Sequence, residues 1–169
     1  MQTYRIRSSF IIPLGLVVLL CLVLIGIVIF QKQPPVKILV VACALLPLGY
    51  LLFECVVRRI EIDNNGLQMI RLGRVRRFRW EEITSLETVR VRQRAFLTIN
   101  AGDEFLIVAN MYARFDRLLG TLLERIPPDT VSEETHLLAK APPVKHSDIV
   151  ILWGLAILMT YLIYAQFSH

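Results

Sequence analysis

The sequence has 169 residues, of which 55% are hydrophobic, and its mean hydropathy is +0.56. Nineteen lysines and arginines against 14 acidic residues give a formal net charge of +5. A positive hydropathy at this length excludes an ordinary soluble protein and indicates an integral membrane protein with one small soluble domain.

Two long apolar stretches near the N-terminus predict a hairpin of transmembrane helices. Residues 10–30 carry no charge over 21 positions, and residues 38–57 are interrupted only by Glu54. At about 1.5 Å of rise per residue, each stretch is close to the roughly 30 Å of a bilayer core. The first is longer than the apolar part of a signal peptide and precedes no small-residue cleavage site, so we expect an uncleaved anchor. Residues 1–57 are therefore assigned to an N-terminal tail and two spans.

The next segment, from residue 58 to residue 110, predicts a small antiparallel β-domain because apolar and polar residues alternate with period two. Turns are predicted at Asn64-Asn65-Gly66, Gly73 and Ala101-Gly102-Asp103, and the first is expected to supply the positive φ angles of a tight hairpin. About six strands result, at residues 59–63, 67–72, 75–80, 83–94, 96–100 and 104–109.

An amphipathic helix is predicted after the strands, because apolar residues recur at helical spacing from Phe115 to Ile126. Asn110 is the predicted N-cap, and Pro127-Pro128 ends the helix. The apolar stripe is expected to pack against the open mouth of the sheet. Residues 127–146, with four prolines and three acids, predict a linker, and residues 147–169 contain the third span, uncharged from 149 to 167.

The basic residues predict the topology. The segment from residue 58 to residue 145 carries 15 of the 19 lysines and arginines, and Arg58 and Arg59 directly follow the second span. The positive-inside tendency places this segment in the cytoplasm. Arg5 and Arg7 agree with a cytoplasmic N-terminus, so the C-terminus is expected outside.

Three sequence elements resemble bacterial pleckstrin-homology (PH)-like domain membrane proteins. They are the run from Ile60 to Leu67 with its Asp-Asn-Asn-Gly turn, the run Arg79-Trp80-Glu81-Glu82-Ile83, and the helix from Phe115 to Leu123. The resemblance covers residues 58–126. It implies a PH-like antiparallel β-barrel or sandwich capped by a C-terminal amphipathic helix, held at the cytoplasmic face of a bacterial inner membrane, with a binding or scaffolding role.

Two groups of arginines are the candidate binding residues for lipid or a partner. The first comprises Arg71, Arg74, Arg76, Arg77 and Arg79, and the second comprises Arg90, Arg92 and Arg94, which share parity and would project from one face of one strand. Near a membrane, each basic residue attracts anionic headgroups by about 1 kcal/mol. The alternatives are a solvated face that orients the domain, specific recognition of lipid or phosphate, and an acidic protein partner.

Other function classes lack support in the sequence. Glu81 and Glu82 have no neighbouring histidine, lysine or metal ligand, so they predict a turn and not acid–base catalysis. The cysteines and histidines show no metal-ligand or disulfide spacing, so no metal or cofactor is predicted. Nucleic acid is disfavoured because aromatic residues are not interleaved with the arginines, and because 15 basic and 12 acidic residues leave residues 58–145 at only +3.

The leading hypothesis is a non-enzymatic, three-span membrane protein whose cytoplasmic PH-like domain docks a protein partner or anionic lipid as an accessory or assembly factor. The alternative is a structural or regulatory subunit of a larger membrane protein complex, held through its transmembrane helices.

Overall fold

The computed structural model describes residues 2–91, 94–140 and 147–167, which fall into two compact units. The helical unit comprises described residues within 8–56 and 147–167, and the β unit those within 2–7 and 57–140. In chain order the elements are β1 (Gln2–Arg5), α1 (Ser8–Phe30), α2 (Pro35–Val57), β2 (Arg59–Ile62), β3 (Gly66–Arg71), β4 (Arg74–Arg79), β5 (Ser85–Val91), β6 (Arg94–Ala101), β7 (Glu104–Ala109), α3 (Phe115–Arg125), α4 (Glu133–Lys140) and α5 (Ser147–Phe167).

The helical unit consists of α1, α2 and α5, and each helix is long and apolar enough to cross a membrane. Val17 and Cys21 of α1 are buried in one cluster with Ala156 of α5, and Val41 and Leu45 of α2 pack against that cluster. Many large apolar side chains elsewhere on the three helices are exposed. Exposed apolar surface on helices of this length is consistent with a membrane protein.

The first sheet of the β unit has the order β1-β2-β3-β4, with antiparallel neighbours. The sequence predicts no strand at residues 2–5 and assigns them to a tail, whereas they form β1 and pair with β2. Tyr4 and Ile6 are buried while Arg5 is exposed, so the strand period is present. It extends over too few residues before α1 to be recognised. The α1–α2 hairpin is thus inserted between two neighbouring strands.

The β2–β3 turn forms by a different mechanism from the one predicted. No residue of Asn64-Asn65-Gly66 has a positive φ angle. Instead, Asp63 Oδ1 accepts hydrogen bonds from the backbone N–H groups of Asn65 and Gly66, each at 2.8 Å, as in an Asx turn. Glycine is required at position 66 for space, because a Cβ atom there would lie 2.0 Å from the carbonyl oxygen of Phe78.

The second sheet has the order β5-β6-β7. The predicted turns at Gly73 and Gly102 are confirmed, with φ angles of 67° and 59°. The single strand predicted for residues 83–94 is wrong, because β5 ends at Val91 and Arg94 begins β6 as the partner of Val91. The sequence between Val91 and Arg94 has no glycine, proline, asparagine or aspartate to indicate a reversal.

The predicted amphipathic helix is confirmed as α3. Its apolar stripe is buried in the β unit, and the helix ends at Arg125, before the two prolines. The buried residues of the stripe are Phe115, Leu118, Leu119, Leu122 and, just past the helix, Ile126.

Asn110 is not the N-cap of this helix, so that prediction is wrong. The helix starts five residues later, after Arg114, whose φ angle is 54°. Asn110 is buried, and its backbone N–H donates to the carbonyl oxygen of Ala95 at 3.1 Å. It therefore extends the pairing of β7 with β6, a long-range contact that no local capping rule contains.

Part of the segment predicted as a linker is folded onto β5. After the 3-10 turn Pro128–Thr130, Val131 forms a parallel bridge with Leu86, and the backbone N–H of Ser132 donates to Leu86 O at 3.0 Å. Thr135 in α4 is fully buried, with its Oγ1 atom 2.8 Å from that of Thr88. Residues 141–146 of the predicted linker lie outside the described residues.

The β unit contains two small antiparallel sheets where a PH-like barrel or sandwich is expected. β4 ends the first sheet and β7 ends the second, and no backbone pairing joins these two strands within the described ranges. The unit is therefore not a closed barrel.

Candidate functional site

The β3–β4 hairpin presents its arginines on two different faces. Directly opposed residues share a face of a sheet, and faces alternate along each strand. Leu67 pairs with Phe78 and Met69 pairs with Arg76, and the three apolar residues are at most 3% exposed. Their side of the hairpin therefore faces the core.

Three of the five predicted arginines share this core-facing side, by the same parity. They lie at the end of the hairpin, beyond the buried apolar residues, and are exposed. They are Arg71, Arg74 and Arg76.

The other two arginines, Arg77 and Arg79, lie on the opposite face. Arg77 donates from Nε and Nη2 to Gln68 Oε1, at 3.1 and 2.7 Å. The backbone N–H of Arg79 donates to Glu82 Oε2 at 3.0 Å, within the 3-10 turn that contains Glu81. The predicted turn role of the two glutamates is thus seen in the structure.

A groove of about 200 Å³ separates the β3–β4 hairpin from β7. Arg76 Nη1 donates across it to the carbonyl oxygen of Phe105 at 2.9 Å. Arg71 and Arg74 have no hydrogen-bond or ion-pair partner among the described residues. We call this feature the arginine groove; its lining residues are Met69, Arg71, Arg74, Arg76, Phe105, Leu106 and Ile107.

The two strands beside the arginine groove each have one backbone edge that pairs with no other strand within the described ranges. In a two-residue hairpin the residues that flank the turn exchange two hydrogen bonds, and such pairs then alternate along the ladder. Because Arg71 pairs with Arg74, the N–H and C=O groups of Val75 and Arg77 point away from β3. Because Ala101 pairs with Glu104, those of Phe105 and Ile107 point away from β6.

Apolar side chains are exposed next to these free edges. Val75 is 61% exposed, Phe105 is 54% exposed and Ile107 is 44% exposed. Exposed apolar side chains beside unpaired backbone groups form a surface onto which another strand can add. The arginine groove therefore combines positive charge, apolar contact and main-chain hydrogen-bonding capacity.

The second group of predicted arginines does not form one stripe on one strand. Arg90 lies on β5 and pairs with Ala95, whereas Arg94 lies on β6 and pairs with Val91. Arg92 lies outside the described residues. The shared parity in the sequence is interrupted by the strand reversal, so the structural basis of that prediction is wrong.

A larger polar cleft, which the sequence gives no sign of, lies between β1 and α3. Its volume is about 820 Å³, and its lining includes Arg5, Arg114, Arg117 and Glu124. Tyr4 also lines it, with its hydroxyl 3.2 Å from Thr121 Oγ1. Residues of β1 line the cleft, so the sequence could predict it only if β1 were recognised as a strand.

Tyr112 connects the two chain segments that lead to the helical unit. Its side chain is fully buried, its carbonyl oxygen accepts from Arg7 Nε at 3.2 Å, and its hydroxyl accepts from Arg58 Nε at 3.0 Å. The Arg58 guanidinium also lies 5.7 Å from the centre of the Tyr112 ring, within cation–π range. Arg7 immediately precedes α1, and Arg58 immediately follows α2.

Metal-binding geometry is not seen in the part of the chain that the structure describes, where no three His, Cys, Asp or Glu residues form a metal-ligand group.

Comparison with protein-family models, curated proteins and solved structures finds no match to this chain. Inference about its function therefore depends on the arginine groove and the apolar helices.

Proposed function

We propose that this chain is a non-enzymatic, membrane-anchored binding or scaffolding protein. Its β unit, a PH-like domain, docks a protein partner or anionic lipid at the cytoplasmic face of a bacterial inner membrane, as an accessory or assembly factor. The arginine groove carries this proposal, because Arg71 and Arg74 have no partner within the described structure and lie beside two free strand edges.

Several features support the PH-like part of the proposal. Four antiparallel strands are followed by three more and then by one amphipathic helix whose stripe is buried in the same unit. This order agrees with the resemblance carried by residues 58–126. β1 adds a strand from before the α1–α2 hairpin, which makes the hairpin an insertion into the first sheet.

Anchoring is supported by how the chain connects its elements. Two residues lead from β1 to α1, and one residue, Arg58, leads from α2 to β2. Both connections carry arginine, as does the start of β2. Basic residues next to apolar helices favour the cytoplasmic side, which supports the proposed orientation.

The test is copurification of the tagged, full-length protein from its native membrane in a gentle detergent or polymer nanodisc. Mass spectrometry identifies the accompanying proteins and lipids. We expect the triple variant Arg71→Glu, Arg74→Glu, Arg76→Glu to lose the main partner or enriched anionic lipid at least tenfold, because each reversed charge adds repulsion.

The matched control is Arg77→Glu with Arg79→Glu, which reverses charge on the other face of the same hairpin. It is expected to retain the partner within about twofold. Full retention by the triple variant would contradict the arginine groove as the contact.

A second candidate function, a subunit held through its helices, is favoured by one feature of the helical unit. An open apolar groove of about 460 Å³ lies between α1 and α5, and its exposed aromatic residues are Trp153, Tyr161 and Tyr164. Replacing α5 by an unrelated apolar helix distinguishes the two. Loss of the partner would favour the subunit, whereas normal copurification would favour the arginine groove.

A further inference from the structure

We propose that the arginine groove receives an extended segment of a partner protein, which adds as a strand between β4 and β7 and alternates acidic with apolar residues. This inference deepens the proposed function, on which it rests, by naming the chemistry of the partner.

The free edges on both sides of the arginine groove point to an extended chain. The outward backbone groups of Val75 and Arg77 on β4, and of Ile107 on β7, have no partner among the described residues. Arg76 reaches Phe105 O with its side chain, and no backbone pairing joins β4 to β7 within the described ranges. A strand in this space would meet backbone donors and acceptors on both sides.

The length of the edges favours a peptide over a lipid headgroup. β4 and β7 have six residues each, which at about 3.3 Å per residue makes edges of roughly 20 Å. A phosphate group would engage the arginines but leave the outward groups of Val75 and Ile107 without partners. An extended peptide engages both.

The faces of the two strands determine the side-chain pattern of the partner. Residues of an added strand that share the core-facing side meet Arg71, Arg74 and Arg76, which favour carboxylates. Residues on the other side meet the exposed Val75, Phe105 and Ile107. Arg77 also lies on that side, with its guanidinium bonded to Gln68. Side chains alternate between faces with period two, so the matching sequence alternates acidic and apolar residues.

Pairing with a second copy of this chain is disfavoured by charge. An antiparallel β4–β4 contact would bring two strands that each carry four arginines side by side. Like charges directly opposite one another on neighbouring strands are destabilising. The arginines on the core-facing side, Arg71, Arg74 and Arg76, could also serve only to prevent aggregation, since inward charges discourage edge-to-edge pairing.

The test uses the full-length protein in nanodiscs of zwitterionic lipid and two labelled octapeptides. One alternates glutamate with valine, and the other has the same composition in blocks of two, so both carry the same charge. Fluorescence anisotropy is expected to show that the alternating peptide binds at least tenfold more tightly. Hydrogen exchange should slow at the amides of Val75 and Ile107 when it binds.

The variant that tests the site is Arg71→Gln, Arg74→Gln, Arg76→Gln, expected to weaken binding of the alternating peptide by about tenfold or more. The control triple Arg114→Gln, Arg117→Gln, Arg125→Gln removes the same charge from α3 and the residue before it, and should change binding by less than about twofold.

Equal binding of the two peptides, no binding of either, or equal loss in both triple variants would overturn the inference. So would displacement of the alternating peptide by phosphatidylglycerol vesicles without protection of Val75 and Ile107, since that result assigns the arginine groove to lipid. The proposed function is judged separately: if copurification depends on the arginine groove while the peptides fail, docking stands and the strand partner does not.

Discussion

Among the described residues of the β unit, the chain itself covers two of the four sheet edges and leaves two open. The β1 edge is covered by residues 111–113, through the bridge of Ile6 with Tyr112 and a 2.8 Å hydrogen bond from Ala113 N–H to Arg5 O. The β5 edge is covered by residues 131–132. By contrast, β4 carries four arginines and the exposed Val75, and β7 carries the exposed Phe105 and Ile107.

The difference between covered and open edges indicates which edges stabilise the β unit and which are available for binding. The segments that follow β7 and α3 are used to cover edges, and the residues they bring, such as Tyr112 and Thr135, are fully buried. No described segment covers β4 or β7. We therefore expect the covered edges to contribute mainly to stability and the open edges mainly to binding.

The largest effect is expected at the covered β1 edge. Tyr112→Ala removes a fully buried aromatic ring together with its hydrogen bond and cation–π contact to Arg58. The free energy of unfolding of the β unit should fall by about 4 kcal/mol, the usual cost of truncating a buried aromatic residue. Hydrogen exchange of the slowest amides of β2 and β3 in the full-length protein measures it.

Its control is Phe105→Ala on the open β7 edge, where the ring is 54% exposed. The loss of stability should stay below about 1 kcal/mol, while binding of the alternating peptide should weaken. Equal destabilisation by the two substitutions would break the division between covered and open edges.

A smaller effect is expected at the covered β5 edge. Thr135→Val keeps the shape of the side chain but removes a buried hydroxyl that contacts Thr88 Oγ1, Ser132 Oγ at 2.9 Å and Leu86 O at 3.4 Å. The loss of hydrogen bonds inside a buried site should cost about 1 to 2 kcal/mol.

Thr84→Val is the matched control for this second change, because Thr84 Oγ1 donates to Asn100 O in an exposed position. It should cost less than about 0.5 kcal/mol. The midpoints of thermal unfolding of Thr135→Val and Thr84→Val are compared in detergent. An equal shift of the two midpoints would argue against a stabilising role for residues 131–135.

Local patterns predicted much of the fold, and long-range pairing explains what they missed. The α3 stripe, the turns at Gly73 and Gly102, and the last strand follow from spacing within a short window. The cover of β5 by Val131 joins positions 45 residues apart, 131 minus 86, so no window contains it. β1 likewise pairs across the inserted α1–α2 hairpin.

Only part of the arginine groove can be predicted from the sequence. The cluster of five arginines is evident there, but which of them face the core depends on the register of β3 with β4. Phe78 was the available signal, because it shares parity with Arg74 and Arg76 and a strand with one apolar face buries its phenylalanine. The contribution of β7 to the groove cannot be predicted, since no local sequence pattern shows that β7 lies opposite β4.

The smallest change in stability, and the sharpest test of the open edges, is expected from Arg76→Met. Arg76 is exposed and its one hydrogen bond crosses the arginine groove, so the free energy of unfolding should change by less than about 0.5 kcal/mol. Removing this inward charge should nevertheless promote self-association in detergent, because charged inward residues keep strand edges from pairing with one another. Arg77→Met removes the same charge from the other face and should leave the protein as dispersed as the wild type, as sedimentation velocity would show. If both variants stay equally dispersed, Arg76 has no protective role at the edge, and its observed contact is the hydrogen bond to Phe105 O.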